Sequence, residues 1–183
     1  MCRKITVFAR DSQKRFEATL FVDGGSHGTL LKESFSQKAG FPIQSRDKVA
    51  VRPILVDAPI DLQSNMVEFG VQTKHGAMYL FGRTLPKLIP KTAIVPVEEK
   101  MSLASEYELI HEEPDILIGI DYYWDLEIQL QRRLSNGLCL ADSILGPFIS
   151  GRGSIPESNR GRPVHISANS LTIEEEEVEL NAK

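Results

Sequence analysis

Short β-branched and aromatic runs, each closed off by turn residues, recur along the first 150 residues and favour a mainly β architecture. Ile5–Ala9 and Phe16–Val22 flank the polar loop Asp11–Arg15 and predict a hairpin. Met66–Gln72 and Ala77–Phe81 predict a second hairpin across Lys74-His75-Gly76. Ile128–Leu134 alternates with period 2 and meets Leu138–Leu140 across Ser135-Asn136-Gly137, and Asn-Gly is a strong hairpin signal. Lys48–Arg52 and Ile54–Val56 add strand material, with an edge or a bend at Pro53. Asp115-Ile-Leu-Ile-Gly119 reads as a fully buried strand ending at a glycine.

Two helices stand out against that background. Thr29 is expected to cap a helix running to Ala39, with Leu31, Phe35 and Ala39 on one face. Gly40 stops it and Pro42 prevents continuation. The second is short and spans residues 122–126. From Gly151 onward Gly, Ser, Pro, Asn and Arg dominate, then glutamates. The expected organisation is therefore one domain over residues 1–150 and a flexible tail over 151–183, basic and then acidic.

Charge locates itself in that tail. Glu174, Glu175, Glu176, Glu177 and Glu179 against Lys183 account for the whole formal charge of −4. Residues 151–170 carry +2 and residues 1–150 carry −2, so the body is close to neutral and no nucleic-acid partner is expected. No apolar run approaches the roughly 18 residues of a membrane span, and no signal-peptide pattern opens the chain. Cys2 and Cys139 cannot build a disulfide framework or a structural zinc site alone, so an intracellular, reducing setting is expected. No pair among His27, His75, His111 and His165 has metal-ligand spacing, and neither metal nor cofactor is expected.

The chemically loaded segment is Leu20-Phe-Val-Asp23-Gly24-Gly25-Ser26, where an apolar strand delivers a carboxylate onto a glycine-rich turn. A plain β-turn is the competing reading, because Asp-Gly-Gly is ordinary turn chemistry. The order of parts around it carries more weight: hairpin, Asp-x-Gly turn, helix, hairpins, Ile-Leu-Ile-Gly, short helix, closing strands.

That order resembles the retroviral-type aspartic proteases, or retropepsins. More specifically, the chain is similar to the aspartic peptidase domain of Bel/Pao-type retrotransposon polyproteins. The resemblance rests on Leu20–Gly40, on Asp115-Ile-Leu-Ile-Gly-Ile-Asp121-Tyr-Tyr-Trp-Asp-Leu126, and on Leu134–Gly151 with its Asn-Gly hairpin and Leu-Gly and Ser-Gly ending. It spans about residues 3–151 and leaves the tail uncovered. It implies a closed acid-protease β-barrel, an endopeptidase acting on extended peptides, and Asp23 as the catalytic residue, with Gly24, Gly25 and Ser26 shaping its turn. Asp23-Gly24-Gly25 is the one Asp-x-Gly in 183 residues. A dyad of carboxylates sharing a proton must then draw its second member from another chain, so the expected partner is a second copy.

Two departures from the family pattern set up an alternative. The family carries Thr or Ser between the Asp and the Gly, and its hydroxyl braces the two halves of the dimer; here Gly24 stands there. The stretch matching the family's flap, Val56–Asn65, has no glycine. A catalytically silent barrel, kept as a dimerisation or protein-interaction module in a host protein, accommodates both. A weaker option makes the tail the functional part. Of the other residues, Asp121 reads as the N-cap of the short helix, and Tyr122, Tyr123 and Trp124 as packing of that helix onto the barrel. His27 reads as a surface-loop residue, Cys139 as a core thiol, and Ser26 as a hydroxyl that could stand in for the missing one.

Overall fold

The computed structural model describes residues 1–51, 58–95, 97 and 110–151, together with the backbone of 153–156 and 163–166. β1 (Cys2–Phe8) and β2 (Phe16–Val22) form the expected antiparallel hairpin, with Ile5 opposite Ala18. After the Asp23 turn come β3 (Leu30–Lys32) and α1 (Glu33–Ala39). β4 (Ile43–Val51), β5 (Ile60–Thr73) and β6 (Gly76–Leu85) make an antiparallel meander. β7 (Thr92–Ile94) pairs with β8 (Ile110–Glu112), and β9 (Ile116–Ile118) leads into α2 (Ile120–Tyr123) and a single 3-10 turn, Trp124–Leu126. β10 (Gln129–Arg133), β11 (Cys139–Asp142) and β12 (Phe148–Ser150) form a separate three-stranded sheet. Within 151–183 the backbone pairs β13 (Gly153–Pro156) with β14 (Pro163–Ile166); the acidic run lies outside the described residues.

Six strands close on themselves in the order β1-β2-β9-β3-β6-β5, and β5 returns to β1 through Val7 opposite Val71 and Phe8 opposite Gly70. Alternation builds the inside of this barrel: Val67, Phe69 and Val71 of β5 face inward with Val7, Leu20, Val22, Leu31, Leu80, Ile116 and Ile118. The closing contact needs Gly70, because a Cβ there would meet the Phe8 ring at 2.3 Å. Phe8 in turn stacks edge-on against Tyr79, and Arg10 lies 3.8 Å above the Tyr79 ring while its guanidinium grips Glu68. β4 lies outside the ring on β5. Beyond Met66, where β6 takes up its pairing, Ile60–Asn65 and Arg46–Val51 pair with each other and form a two-stranded arm.

Several expectations are corrected here. The helix begins at Glu33 and not at Thr29, with Lys32 at its N-cap and Gly40 closing it in left-handed geometry. Leu30–Lys32 are strand because they bridge two neighbours, parallel to β6 and antiparallel to β9, and that pairing overrides the helical spacing of the apolar residues. The segment read as a flap turn is largely strand: Ile60–Asn65 belong to β5, while Val56 and Asp57 lie outside the described residues. Period-2 alternation in β10 does not bury one face; all five residues are exposed, Leu130 at 61%. A bulge between Leu130 and Arg132 shifts the register there.

Candidate active site

Strand pairing explains how the loop that carries Asp23 is formed. β9 runs parallel to β2 (Phe21 opposite Leu117) and antiparallel to β3 (Leu31 opposite Ile116), so it lies between them. The chain leaving β2 must therefore cross the end of β9 before returning as β3. Residues 23–29 are that crossing. The Asp23 N–H donates to the Ile118 carbonyl at 2.9 Å and extends the β2–β9 ladder by one bond. The Ser26 N–H then donates to the Asp23 carbonyl at 3.1 Å, which closes the turn.

The carboxylate is half-buried between exposed Gly24 and Gly25, and its Oδ1 accepts the Gly25 N–H at 2.9 Å. This is an Asx-type bond that fixes the side chain against its own loop. His27 is exposed, as expected of a loop residue. The Ser26 hydroxyl donates to the Gly28 carbonyl at 3.0 Å, so it serves its own loop and does not reproduce a hydroxyl at position 24.

A second turn, Gly119–Asp121, knits into the first. The Ile120 N–H donates to the Ser26 carbonyl at 2.8 Å, and the Gly119 N–H to the Thr29 hydroxyl oxygen at 3.3 Å. The two backbones touch: a Cβ on Gly119 would lie 2.7 Å from the carbonyl carbon and oxygen of Gly28. A side chain at this position would collide with backbone, which cannot swing aside.

Asp121 is a brace and not the helix cap. Gly119 occupies the N-cap position, and the helix starts one residue before Asp121. Asp121 Oδ2 accepts the Thr29 N–H at 2.9 Å, and Oδ1 accepts both the Thr29 hydroxyl at 2.9 Å and the Tyr122 N–H at 3.1 Å. Both oxygens are spent on holding the loop of Asp23 to α2. Thr29 is buried and belongs to the site, a role that its reading as a helix cap missed. No local spacing signals this role, because Thr29 and Asp121 meet across 92 residues of sequence.

The aromatic trio divides. Tyr122 and Tyr123 pack against the barrel core, and the Tyr122 hydroxyl oxygen accepts the Phe81 N–H at 3.1 Å, tying α2 to β6. Trp124 does not pack inward; it is 76% exposed, with Ile120 at 41% one helical turn earlier. The Tyr123 ring stands 3.4 Å from where a Cβ on Gly24 would project.

Cys139 is half-buried on β11, and Cys2 is buried on β1 with its thiol pushed up to about 11 by burial. Among the described residues no three His, Cys, Asp or Glu side chains converge in a way that would hold a metal ion, and no helix is long and apolar enough to cross a membrane. No family model matches the chain, and no curated protein matches it.

Proposed function

We propose that the chain is half of a retropepsin-type aspartic endopeptidase, derived from or resident in a retroelement, in which two copies bring their Asp23 carboxylates together. The observation that carries the reading is the crossed pair of turns. A single Asp-x-Gly leaves a buried strand, its carboxylate is oriented by the Gly25 N–H, and its loop is tied to a second turn through Thr29 and Asp121. Two such carboxylates sharing one proton activate a water: one takes a proton from it as it attacks the scissile carbonyl, and the other donates to the developing oxyanion. The two-stranded arm of β4 and β5 is the candidate cover for an extended peptide bound as a strand.

The test is cleavage of a peptide library at pH 4–6 by the purified protein beside an Asp23→Asn control. Asp23-dependent cleavage supports the reading, and equal behaviour of the two proteins sinks it. The absence of a side chain at Gly24 favours a second reading, a silent barrel that dimerises or binds a protein partner. That reading expects self-association to survive Asp23→Asn with no cleavage by either protein.

A further inference from the structure

Glycine at position 24 leaves the peptide beside the candidate catalytic carboxylate with the widest conformational freedom of any residue. A dyad needs its carboxylates held to within about 0.5 Å, so something must remove that freedom. An ideal Cβ on Gly24 would lie 3.4 Å from both Cδ2 and Cε2 of Tyr123 and 3.8 Å from its Cγ, which puts the ring against the place where a side chain would project. We propose that Tyr123 is the positioning residue for Asp23, its ring walling the side of the turn on which the family carries a hydroxyl side chain.

The ring is itself fixed. It meets Trp124 edge-on, with centroids 5.1 Å apart and planes at 85°. Its helix is fastened on both sides of it. Asp121 holds Thr29 of the active-site loop, and Tyr122 accepts the Phe81 N–H from β6. Of three successive residues of α2, two therefore hold the end of the loop and the barrel wall, and the third stands beside the Asp23 turn. The ring atoms nearest that side-chain position are carbons, so the ring and not the phenolic hydroxyl performs the task.

The consequence for catalysis rests on the peptidase reading, whereas the clamp itself does not, and the experiment separates them. Hydrogen exchange of the Gly25 amide, which bonds Asp23 Oδ1, reports the turn directly; the amides of Leu20 and Phe21 on β2 report the barrel. Tyr123→Ala should speed Gly25 exchange by about tenfold or more while the β2 amides keep their rates. Tyr123→Phe should match the parent, and Tyr123→Leu, which keeps bulk without the flat ring, should fall between. In cleavage assays Tyr123→Ala should lower kcat by about a hundredfold with KM unchanged, and Tyr123→Phe should restore it. Unchanged Gly25 exchange in Tyr123→Ala, or equal acceleration at Gly25, Leu20 and Phe21, overturns the positioning role. Cleavage by the parent that is indifferent to Asp23→Asn overturns the peptidase reading and leaves the clamp to be judged on the Gly25 amide.

Discussion

Replacing Gly119 by alanine tests whether the crossing of the two turns holds the site together. The new methyl would stand 2.7 Å from the Gly28 carbonyl carbon and oxygen and 2.9 Å from its nitrogen, all backbone atoms. Relief requires the loop of Asp23 and the turn before α2 to separate. Overpacking of this kind costs about 1–3 kcal/mol. Separation also strains the Ile120–Ser26, Gly119–Thr29 and Thr29–Asp121 bonds, and losing two of them adds about 2 kcal/mol. The sum, about 3–5 kcal/mol, is a large share of the roughly 5–15 kcal/mol that keeps a domain folded. With a urea slope of about 2 kcal/mol/M, the unfolding midpoint should fall by about 2 M. Gly40→Ala is the control. Among the described residues nothing lies within 4 Å of where its Cβ would stand, but its φ of 71° is left-handed. That strain costs about 1–2 kcal/mol and should move the midpoint by less than about 1 M. A Gly119→Ala midpoint no lower than that of Gly40→Ala would refute the argument that backbone contact at position 119 locks the two turns.

Gly24→Ser should fold normally, since its Cβ would make an ordinary 3.4 Å contact with the Tyr123 ring. Under the dimer reading its hydroxyl should tighten self-association by up to about tenfold in sedimentation, and weaker association than the parent would contradict this. Hydrogen bonds from Lys4 and the Thr19 hydroxyl hold the Glu112 carboxyl below its usual range, whereas burial holds Asp115 above its own. The signs are therefore opposite. Glu112 stabilises the fold above its unfolded pKa of about 4.3 and loses that contribution as pH falls through its folded value. Asp115 imposes a cost that appears as pH rises through the region between its unfolded and folded values. In urea titrations Glu112→Gln should destabilise at pH 7 more than at pH 3, and Asp115→Asn should gain stability at pH 7 that is absent at pH 3. Equal shifts at both pH values would rule out linkage through either group. A thiol reagent at pH 8 should modify half-buried Cys139 well before Cys2, whose thiol is buried and pushed up to about 11; equal rates would contradict the burial of β1.

Much of the barrel was readable because local patterning and tertiary role agree there. β1 and β2 alternate as a hairpin should, and β9 is an uninterrupted apolar run because both its neighbours bury it. Where they disagree, the reading failed. The spacing of Leu31, Phe35 and Ala39 alone could not reveal that Leu30–Lys32 would be captured between β6 and β9.

 Helical periodicity survives in that stretch because Leu31, Phe35 and Ala39 are all buried, although they belong to two different elements. The extension of β5 back to Ile60 was hidden for another reason: Ile60–Asn65 matched the family's flap and has only a short Ile60-Asp-Leu-Gln63 alternation, and it is strand because β4 pairs with it. At the site, Asp23 was visible from its glycines and from the apolar strand before it. Thr29, Asp121 and Tyr123 were not, since their roles depend on a contact between turns about 90 residues apart in sequence, which no local spacing encodes.

One carboxylate per chain is the centre of the account, and mixing tests it most directly. Peptide cleavage is measured at a fixed amount of parent protein while Asp23→Asn chains are added and allowed to exchange. If each site takes one Asp23 from each of two chains, the added chains capture parent chains in inactive pairs. Activity should then fall in proportion to the parent fraction, and activity per chain should rise with protein concentration before the mixing begins. Activity that ignores added Asp23→Asn chains and stays constant per chain on dilution would contradict a shared site.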